Sequence, residues 1–526
     1  MKKGGFRVLE SKLENKNISI LRETKSLCPI CFQVIPAKIF ADENSIVKIG
    51  KTCATHGYFE DTYTFSKLDK YLWAEKYAHE GTKIKNPRTK TVKGCPYDCG
   101  ICPEHKSHTV LAIIDVTNRC NLKCPICFAN AATAGYIYEP TKEQIKNILI
   151  NLRSNQPIAP SALQFSGGEP TVRNDLPELI KMAKEVGFNH VEVNTNGVRF
   201  ANDLNFFKEC FEAGMSTIYL QFDGLNDEVF KEVRGVPLKA VKMKVIENAR
   251  KIGLKSIVLV VTLVKGFNDD QLGDILRFAL NNVDVIRCIN VQPVSITGRI
   301  DKEEREKMRI NTSDFMELIE KQSNGLVKAE DFRPVPCVIP LSKAVGALKG
   351  KNYVEFSTAP WCGVATFLVK SGDEWIPITR LADVDKFFEA MEKAYEDALN
   401  GRKLKAKLRL ISSLRYVKAK LIKEALWPVL KEGSYDALGN FMQKVLMIGC
   451  MHFMDPYNFD LDRMQRCTIH YGLPDGTIRP FCAYNSIHRS EVERKFSIPY
   501  SEWLKNKSSQ AYISCQSCTF TNNNNP

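Results

Sequence analysis

Between residues 110 and 292 the chain alternates short apolar runs, rich in β-branched residues, with longer stretches in which apolar side chains recur every three or four positions. The first kind predicts buried strands, and the second predicts helices with one face on a core. Strands are expected near 110–116, 161–166, 190–195, 217–222, 256–264 and 285–292, and helices over 141–152, 175–187, 203–213, 237–251 and 269–281. Six βα units in succession call for a parallel sheet with right-handed crossovers. On such a sheet the chemistry collects at the carboxyl ends of the strands.

Those ends are where the polar and metal-ligating residues fall. The first strand runs into Thr117-Asn118-Arg119 and then delivers Cys120, Cys124 and Cys127, with Phe128 directly after the last cysteine. Iron in a cubane cluster is held by cysteine thiolates, so three close cysteines leave one of its four irons open to a substrate or cofactor. The second strand ends in Ser166-Gly167-Gly168-Glu169-Pro170. Two glycines let backbone approach a ligand closely, and the carboxylate can accept hydrogen bonds from an ammonium. Later strands end in Asn194-Thr195-Asn196-Gly197, Gln221-Phe222-Asp223-Gly224 and Gln292-Pro293-Val294, which makes Asn194, Asn196, Gln221, Asp223 and Gln292 candidate ligand contacts. Cys95, Cys99 and Cys102 repeat the CxxxCxxC spacing without the strand before it or the aromatic after it, and read as an auxiliary site.

The flanks carry the remaining cysteines. Upstream, Cys28, Cys31, Cys53 and His56 have the spacing of a small ribbon around one tetrahedral ion, zinc or a single iron, with His56 competing against a more distant cysteine for the fourth place. Residues 60–94 read as an aromatic-striped helix and a linker. Downstream, 299–334 is charged and mainly helical. A basic amphipathic segment follows, with Leu410, Leu414, Val417 and Leu421 on one stripe and Arg402, Lys403, Lys405, Lys407, Arg409, Arg415, Lys418, Lys420 and Lys423 on the other faces. It suits an anionic membrane surface or, more plainly, a solvated outer face. Cys362, Cys450, Cys467, Cys482, Cys515 and Cys518 point to further iron–sulfur ligation, whereas Cys210 and Cys288, inside the barrel pattern, read as ordinary buried thiols. The expected organisation is a metal ribbon over 1–60, a linker and auxiliary cluster loop over 61–109, the strand–helix unit over 110–300, a helical region over 301–445 and a cysteine-rich domain over 446–526.

Composition narrows the setting. Eighteen cysteines grouped in CxxC-type units favour metal centres over disulfides and a reducing cytoplasmic location. No run approaches the roughly 20 apolar residues a membrane span needs, and the first residues lack the apolar stretch of a secretory signal. The net charge of +14 favours an anionic partner without choosing one.

The cluster loop followed by the Gly-Gly-Glu-Pro turn resembles the radical S-adenosylmethionine (SAM) superfamily. The full order of motifs is similar to that of archaeal tetraether lipid synthases: CPxC…CxxHG, GCPxDCGxCxxH, CNLxCPxCFA, GGEPT, CxHFMDxYNFD, RCxIHYxxPDGxxxPFCAYN and a final CxxC. The resemblance implies an α/β fold with a partial (β/α)6 barrel flanked by small cysteine-rich metal-binding domains. It implies SAM chelated by the open iron, with its amino group received by the turn that carries Glu169, and three [4Fe–4S] clusters beside one mononuclear zinc or iron. It also implies coupling of the terminal methyl carbons of archaeal diether phospholipids at a membrane surface, with the first carbon held by an auxiliary cluster sulfide and electrons from a ferredoxin-like reductant. No nucleic-acid partner is expected. The rival readings are a radical SAM enzyme of another class, one that methylates a lipid or pterin or modifies a peptide, and an RNA-modifying enzyme that uses the positive charge or a non-catalytic iron–sulfur binding protein.

Overall fold

The computed structural model describes residues 18–298, 300, 303–419 and 444–508. Strands β1 (Ser19–Leu27), β2 (Val34–Ala41), β3 (Ile46–Cys53) and β4 (Gly57–Lys67) form an antiparallel meander in chain order. Its turns are fixed locally: Asp42 Oδ1 accepts from the amides of Asn44 at 3.0 Å and Ile46 at 2.9 Å, an Asx turn that reverses β2 into β3. The helix expected within 60–94 is the short Leu68–Glu75, with Tyr71 stacked on Trp361 at 5.1 Å, so the aromatic stripe is core packing.

The six expected strands are present within a few residues of their predicted bounds. They are β5 (Leu111–Thr117), β7 (Ala162–Gly167), β8 (His190–Thr195), β9 (Thr217–Gln221), β10 (Ile257–Leu263) and β11 (Ile286–Pro293), all parallel and side by side in chain order. The short β6 (Tyr136–Tyr138) lies outside this sheet, in the crossover after β5. The crossover helices pack one apolar face on the sheet; Lys142–Arg153 buries Ile145, Ile148, Leu149 and Leu152 and starts from a Thr141/Gln144 capping box. The fold is thus α/β with a partial (β/α)6 barrel.

An open barrel has two edges with unpaired backbone groups, and this chain covers both from its later residues. After β12 (Arg333–Pro334), β13 (Gly363–Ser371) and β14 (Glu374–Pro377), strand β15 (Val445–Met451) lies parallel beside β11, with β13 antiparallel on its far side. At the other edge β16 (Ile469–Gly472) runs parallel to β5 and is followed by β17 (Ile478–Pro480); β18 (Ser497–Pro499) pairs with β6. The segment 446–526, read from the sequence as a separate cysteine-rich domain, therefore lends strands to both edges of the barrel sheet. The basic helix expected over 402–423 is shorter: helix Lys403–Ser413 ends in a 3-10 turn at Leu414–Tyr416, and residues 420–423 lie outside the described residues. No helix among the described residues is long and apolar enough to cross a membrane.

A buried ion-pair junction ties these parts together. Arg309 reaches Asp61 of β4 at 2.7 Å and Asp455, just after β15, at 2.7 Å, and Asp455 also accepts from the amide of Ile296 at 2.9 Å. Ribbon, barrel exit and C-terminal segment thus share one guanidinium. Breaking a buried pair leaves an uncompensated charge. Arg309→Met is expected to cost about 3–5 kcal/mol, seen as a lower unfolding temperature in calorimetry, and Asp455→Asn added to it should return part of that loss.

Candidate functional site

The cluster loop is placed by backbone contacts between two strand ends. Gly168 N donates to Thr117 O at 2.7 Å and Glu169 N to Arg119 O at 2.8 Å. A Cβ on Gly167, at φ +124°, would fall 2.2 Å from Thr117 O, and one on Gly168 would fall 2.2 Å from Arg119 O. The glycines expected to approach a ligand therefore first admit the backbone of the cysteine loop. They also line the cavity that the loop faces.

That cavity measures about 430 Å3, is partly open, and is lined by the barrel and by the later segments. Cys120, Cys124, Cys127 and Phe128 line it, together with Gly167, Gly168, Glu169, Asn194, Asn196, Gln221 and Gln292, so eleven of the expected residues converge on one space. Phe128 sits 5.9 Å from Phe481, whose ring stacks on Phe453 at 4.0 Å. Burial pushes the thiols of Cys120 and Cys124 up, with the Glu169 carboxylate adding to the effect at Cys120 and the Arg234 guanidinium opposing it at Cys124.

Glu169 is buried and fully hydrogen-bonded. One oxygen accepts from Thr171 N at 3.1 Å, Thr171 Oγ1 at 2.5 Å and Thr195 Oγ1 at 2.7 Å, and the other accepts from Asn196 N at 2.7 Å. Burial pushes its carboxyl up against these donors. Asn196 in turn donates to Asn121 Oδ1 at 2.7 Å, which returns to the cysteine loop. Asn194 donates to Ser166 Oγ at 3.3 Å, and Gln292 to the Tyr219 hydroxyl at 2.7 Å.

Asp223 corrects the sequence reading. It is absent from the cavity wall, and its two oxygens face Arg234 at 2.7 Å each while Oδ1 also accepts from Thr262 N at 3.1 Å. The ion pair outweighs burial and holds this carboxyl below the usual range. Arg234 takes the place expected of Asp223: it lines the cavity and donates to the Ile126 carbonyl, inside the cysteine loop, at 3.0 Å. Nothing in the pattern singled out Arg234, nor Lys242, whose ammonium is buried against Asn196 O at 2.6 Å and pushed down by burial to about 7.

Cys95, Cys99 and Cys102 occupy a loop fastened by Asp98, whose Oδ2 accepts from the amides of Val92, Lys93 and Gly94 at 2.5–2.6 Å. Cys95, Cys99 and Cys482 share one apolar cluster, and Cys99 feels the charge of Cys467 as well as of its loop partners. Cys467 and Cys482 each feel Cys362, and Arg463 Nε lies 3.5 Å from Cys362 Sγ. Cysteines from four separate stretches thus gather in one region. Cys450 does not join them: its thiol lies 4.0 Å from Thr312 Oγ1, because Met447 and Met451 take the inward positions of β15 and strand alternation turns Cys450 outward. Cys288, expected to be an ordinary buried thiol, lines the cavity, whereas Cys210 is in the core. Cys515 and Cys518 lie outside the described residues.

In the ribbon, Cys28, Cys31, Cys53 and His56 place their ligand atoms within 4.8 Å of one another. Cys31 Sγ to Cys53 Sγ is 3.9 Å, and His56 Nδ1 is 3.5 Å from both Cys28 Sγ and Cys53 Sγ. A tetrahedral ion with metal–sulfur bonds of about 2.3 Å and metal–nitrogen bonds of about 2.0–2.1 Å requires separations of about 3.6–3.8 Å. The donor set fits zinc or a single iron. Burial would push the Cys53 thiol up, but the amides of His56 and Thr55 bring it down to about 6. Among the described residues this is the one group so close.

Residues 114–279 match the radical SAM superfamily, and residues 20–64 match the HMPTM N-terminal zinc ribbon domain. The chain is 48% identical over 502 residues to a 7,8-dihydro-6-hydroxymethylpterin dimethyltransferase of Methanocaldococcus jannaschii, covering 92% of this chain and 97% of that protein. It is 28% identical over 191 residues to a GTP 3',8-cyclase of Peptoclostridium acidaminophilum, covering 36% and 57% of the two chains. Among solved structures it is similar to Streptococcus suis SuiB, with a TM-score of 0.34 and 21% identity over 42% of this chain and 47% of that one.

Two outcomes follow from this geometry. Gly168→Ala should sharply lower iron bound at the barrel site and 5'-deoxyadenosine formation while the ribbon metal stays, measured by metal analysis and chromatography. Cys53→Ser should remove one equivalent of zinc or mononuclear iron and leave the iron–sulfur absorbance in place.

Proposed function

We propose carbon–carbon bond formation as the activity of this chain, which belongs to the radical SAM superfamily and, by identity over nearly the whole of both chains, to the family of the M. jannaschii protein. The observation that carries the reading is the Cys120, Cys124 and Cys127 loop opening beside Glu169 onto a cavity that all four residues line. A carbon without an acidic proton or a leaving group offers nothing to acid–base or nucleophilic catalysis. SAM bound to a [4Fe–4S] cluster supplies, on one-electron reduction, a 5'-deoxyadenosyl radical able to take hydrogen from such a carbon. A one-electron donor of the ferredoxin class completes the requirement.

The chain's own residues hold and orient. The three thiolates would carry the cluster, and Glu169, kept in place by Thr195 and Asn196, stands beside the turn that would receive the SAM ammonium. Arg234 holds the loop through the Ile126 carbonyl, and Leu122, Ile126 and Phe128 cover the loop's side of the cavity with apolar surface that excludes water. Cys95, Cys99 and Cys102, with Cys362, Cys467 and Cys482 nearby, would hold auxiliary iron–sulfur centres.

For the substrate, methyl transfer to a carbon of a reduced pterin is the reading supported by the M. jannaschii relative's name: one SAM, reductively cleaved, would take the hydrogen from that carbon, and a second SAM would give the methyl and leave as S-adenosylhomocysteine, each drawing one electron from the donor. Gln164, Glu192, Asn290 and Gln292 on the cavity wall favour it, since amides and a carboxylate suit the amino and oxo edges of such a ring. Coupling of isoprenoid chain ends, the activity implied by the motif order, is the second reading. It is favoured by the apolar part of the same wall: Val335, Phe356, Met447, Met451, Phe453 and Met454. Each coupling removes one hydrogen from each of two methyl groups and consumes two SAM molecules.

Anaerobic, iron-reconstituted protein with SAM, a reductant and either reduced 6-hydroxymethylpterin or archaeal diether lipid separates the two by mass spectrometry. A pterin that gains methyl groups is the first expected outcome. A lipid lighter than two diethers by paired hydrogens would transfer the assignment to coupling. Deoxyadenosine with neither product would sink both substrates.

A further inference from the structure

Helix Lys403–Ser413 presents its apolar side the wrong way for a helix that only packs on its own protein. Its inner face is Ala406 and Ser413, both buried, and Leu410, which packs with the cluster of Ala344, Met391 and Ala394. Its outer face is Leu404, Leu408 and Ile411, which are 75%, 59% and 66% exposed. These three fall at i, i+4 and i+7, one continuous stripe along about two turns. Leu399, 65% exposed at the end of the preceding helix Val384–Leu399, adds to the exposed apolar surface nearby.

The rims of the stripe are basic. Lys403 and Lys407 flank it on one side and Lys405 on the other, all exposed. On the side turned from the stripe, Arg402, Arg409 and Lys405 share Asp397 at 3.1, 2.6 and 3.6 Å, which keeps the nearby carboxylate occupied and leaves Lys403 and Lys407 as the rim cations that face away from it. Apolar side chains between lysines, on a helix lying flat, match the interface of a bilayer whose headgroups are anionic. A second copy of this chain fits less well, because an isologous contact would set the lysine rims against each other.

We propose that this helix docks the protein peripherally on an anionic membrane surface, with Leu404, Leu408 and Ile411 inserted among the headgroups and Lys403 and Lys407 paired to their phosphates. The same layer reaches the cavity. Helix Ile339–Lys349 packs on both Val384–Leu399 and Lys403–Ser413, and the segment after it carries Phe356, which is 44% exposed and lines the cavity. A bilayer-borne substrate would meet the protein on the layer that forms part of the cavity wall. That last link rests on the isoprenoid reading; the docking itself does not.

The test is flotation of the full iron-reconstituted protein with vesicles of phosphatidylglycerol and phosphatidylcholine in equal parts, and with phosphatidylcholine alone. Binding to the anionic vesicles, weakened by salt, is expected. Leu404→Ser/Leu408→Ser/Ile411→Ser should lower it roughly tenfold or more, and Lys403→Gln/Lys407→Gln should lower it on anionic vesicles only. Both variants should keep wild-type deoxyadenosine formation in solution, which shows that they fold and separates docking from the radical chemistry. Absence of vesicle binding by the wild type, or binding indifferent to the triple serine variant, would overturn the proposal. So would a wild-type dimer that the serine variant converts to a monomer, since the stripe would then be covered by a second copy.

Discussion

The contact on which the site depends is the approach of Gly167 and Gly168 to the backbone of Thr117 and Arg119. It leaves no room for a side chain, with carbonyl oxygens 2.2 Å from where each Cβ would stand. Through it the end of β7 fixes the point at which the cysteine loop leaves β5. Glu169 then carries the constraint onward, because its carboxylate accepts from Thr195 and Asn196 at the end of β8. Asn196 closes the circuit by donating to Asn121 between Cys120 and Cys124. Three strand ends and the loop are thus registered by one closed set of hydrogen bonds, and none of it needs the loop to have intrinsic structure.

A cavity requires that the open side of the partial barrel be closed, and elements far along the chain do this. β15 extends the sheet beyond β11 and brings Met447 and Met451 inward; β16 extends it beyond β5 and places Ile469 on the wall. The cavity consequently has two chemistries. The strands of the barrel proper contribute amides, hydroxyls and Glu192, while the later segments contribute methionines and aromatics. A substrate with a polar ring and one with an apolar chain would each use a different part of this wall, which is why the two substrate readings draw on separate residues.

The strands and the cysteine loop were legible because each rests on a local pattern: an apolar run of strand length ending in polar residues. The ribbon ligands were legible for the same reason, since CxxC and CxxH fix their own spacing. Asp223 was not, because its role depends on Arg234, which comes from a short helix, Asp227–Arg234, that buries Val229, Phe230 and Val233 and was not among the expected helices. Cys450 shows a related limit: its motif suggested a ligand, but side-chain alternation on β15 gave the inward positions to Met447 and Met451. The basic helix was visible as a periodic stripe, yet periodicity says that an apolar face exists and not which way it points. Leu410 turned inward while Leu404, Leu408 and Ile411 turned out.

Buried cations lie close to the cysteines, and they are offset in different ways. Arg463 is almost wholly buried, donates to Thr64 Oγ1 and His452 O, and makes no carboxylate ion pair among the described residues; the acceptor left to it is Cys362 Sγ at 3.5 Å. Arg234 and Lys242 also lie buried beside the barrel loop, but there the Asp223 carboxylate is the chief offset and Cys124 adds to it. A guanidinium in a protein interior is costly unless an anion offsets it. Thiolates ligating iron are such anions, and neutral thiols are not. A metal held by Cys362 would therefore offset the Arg463 charge, and its loading would be coupled to folding through charge as well as through ligation.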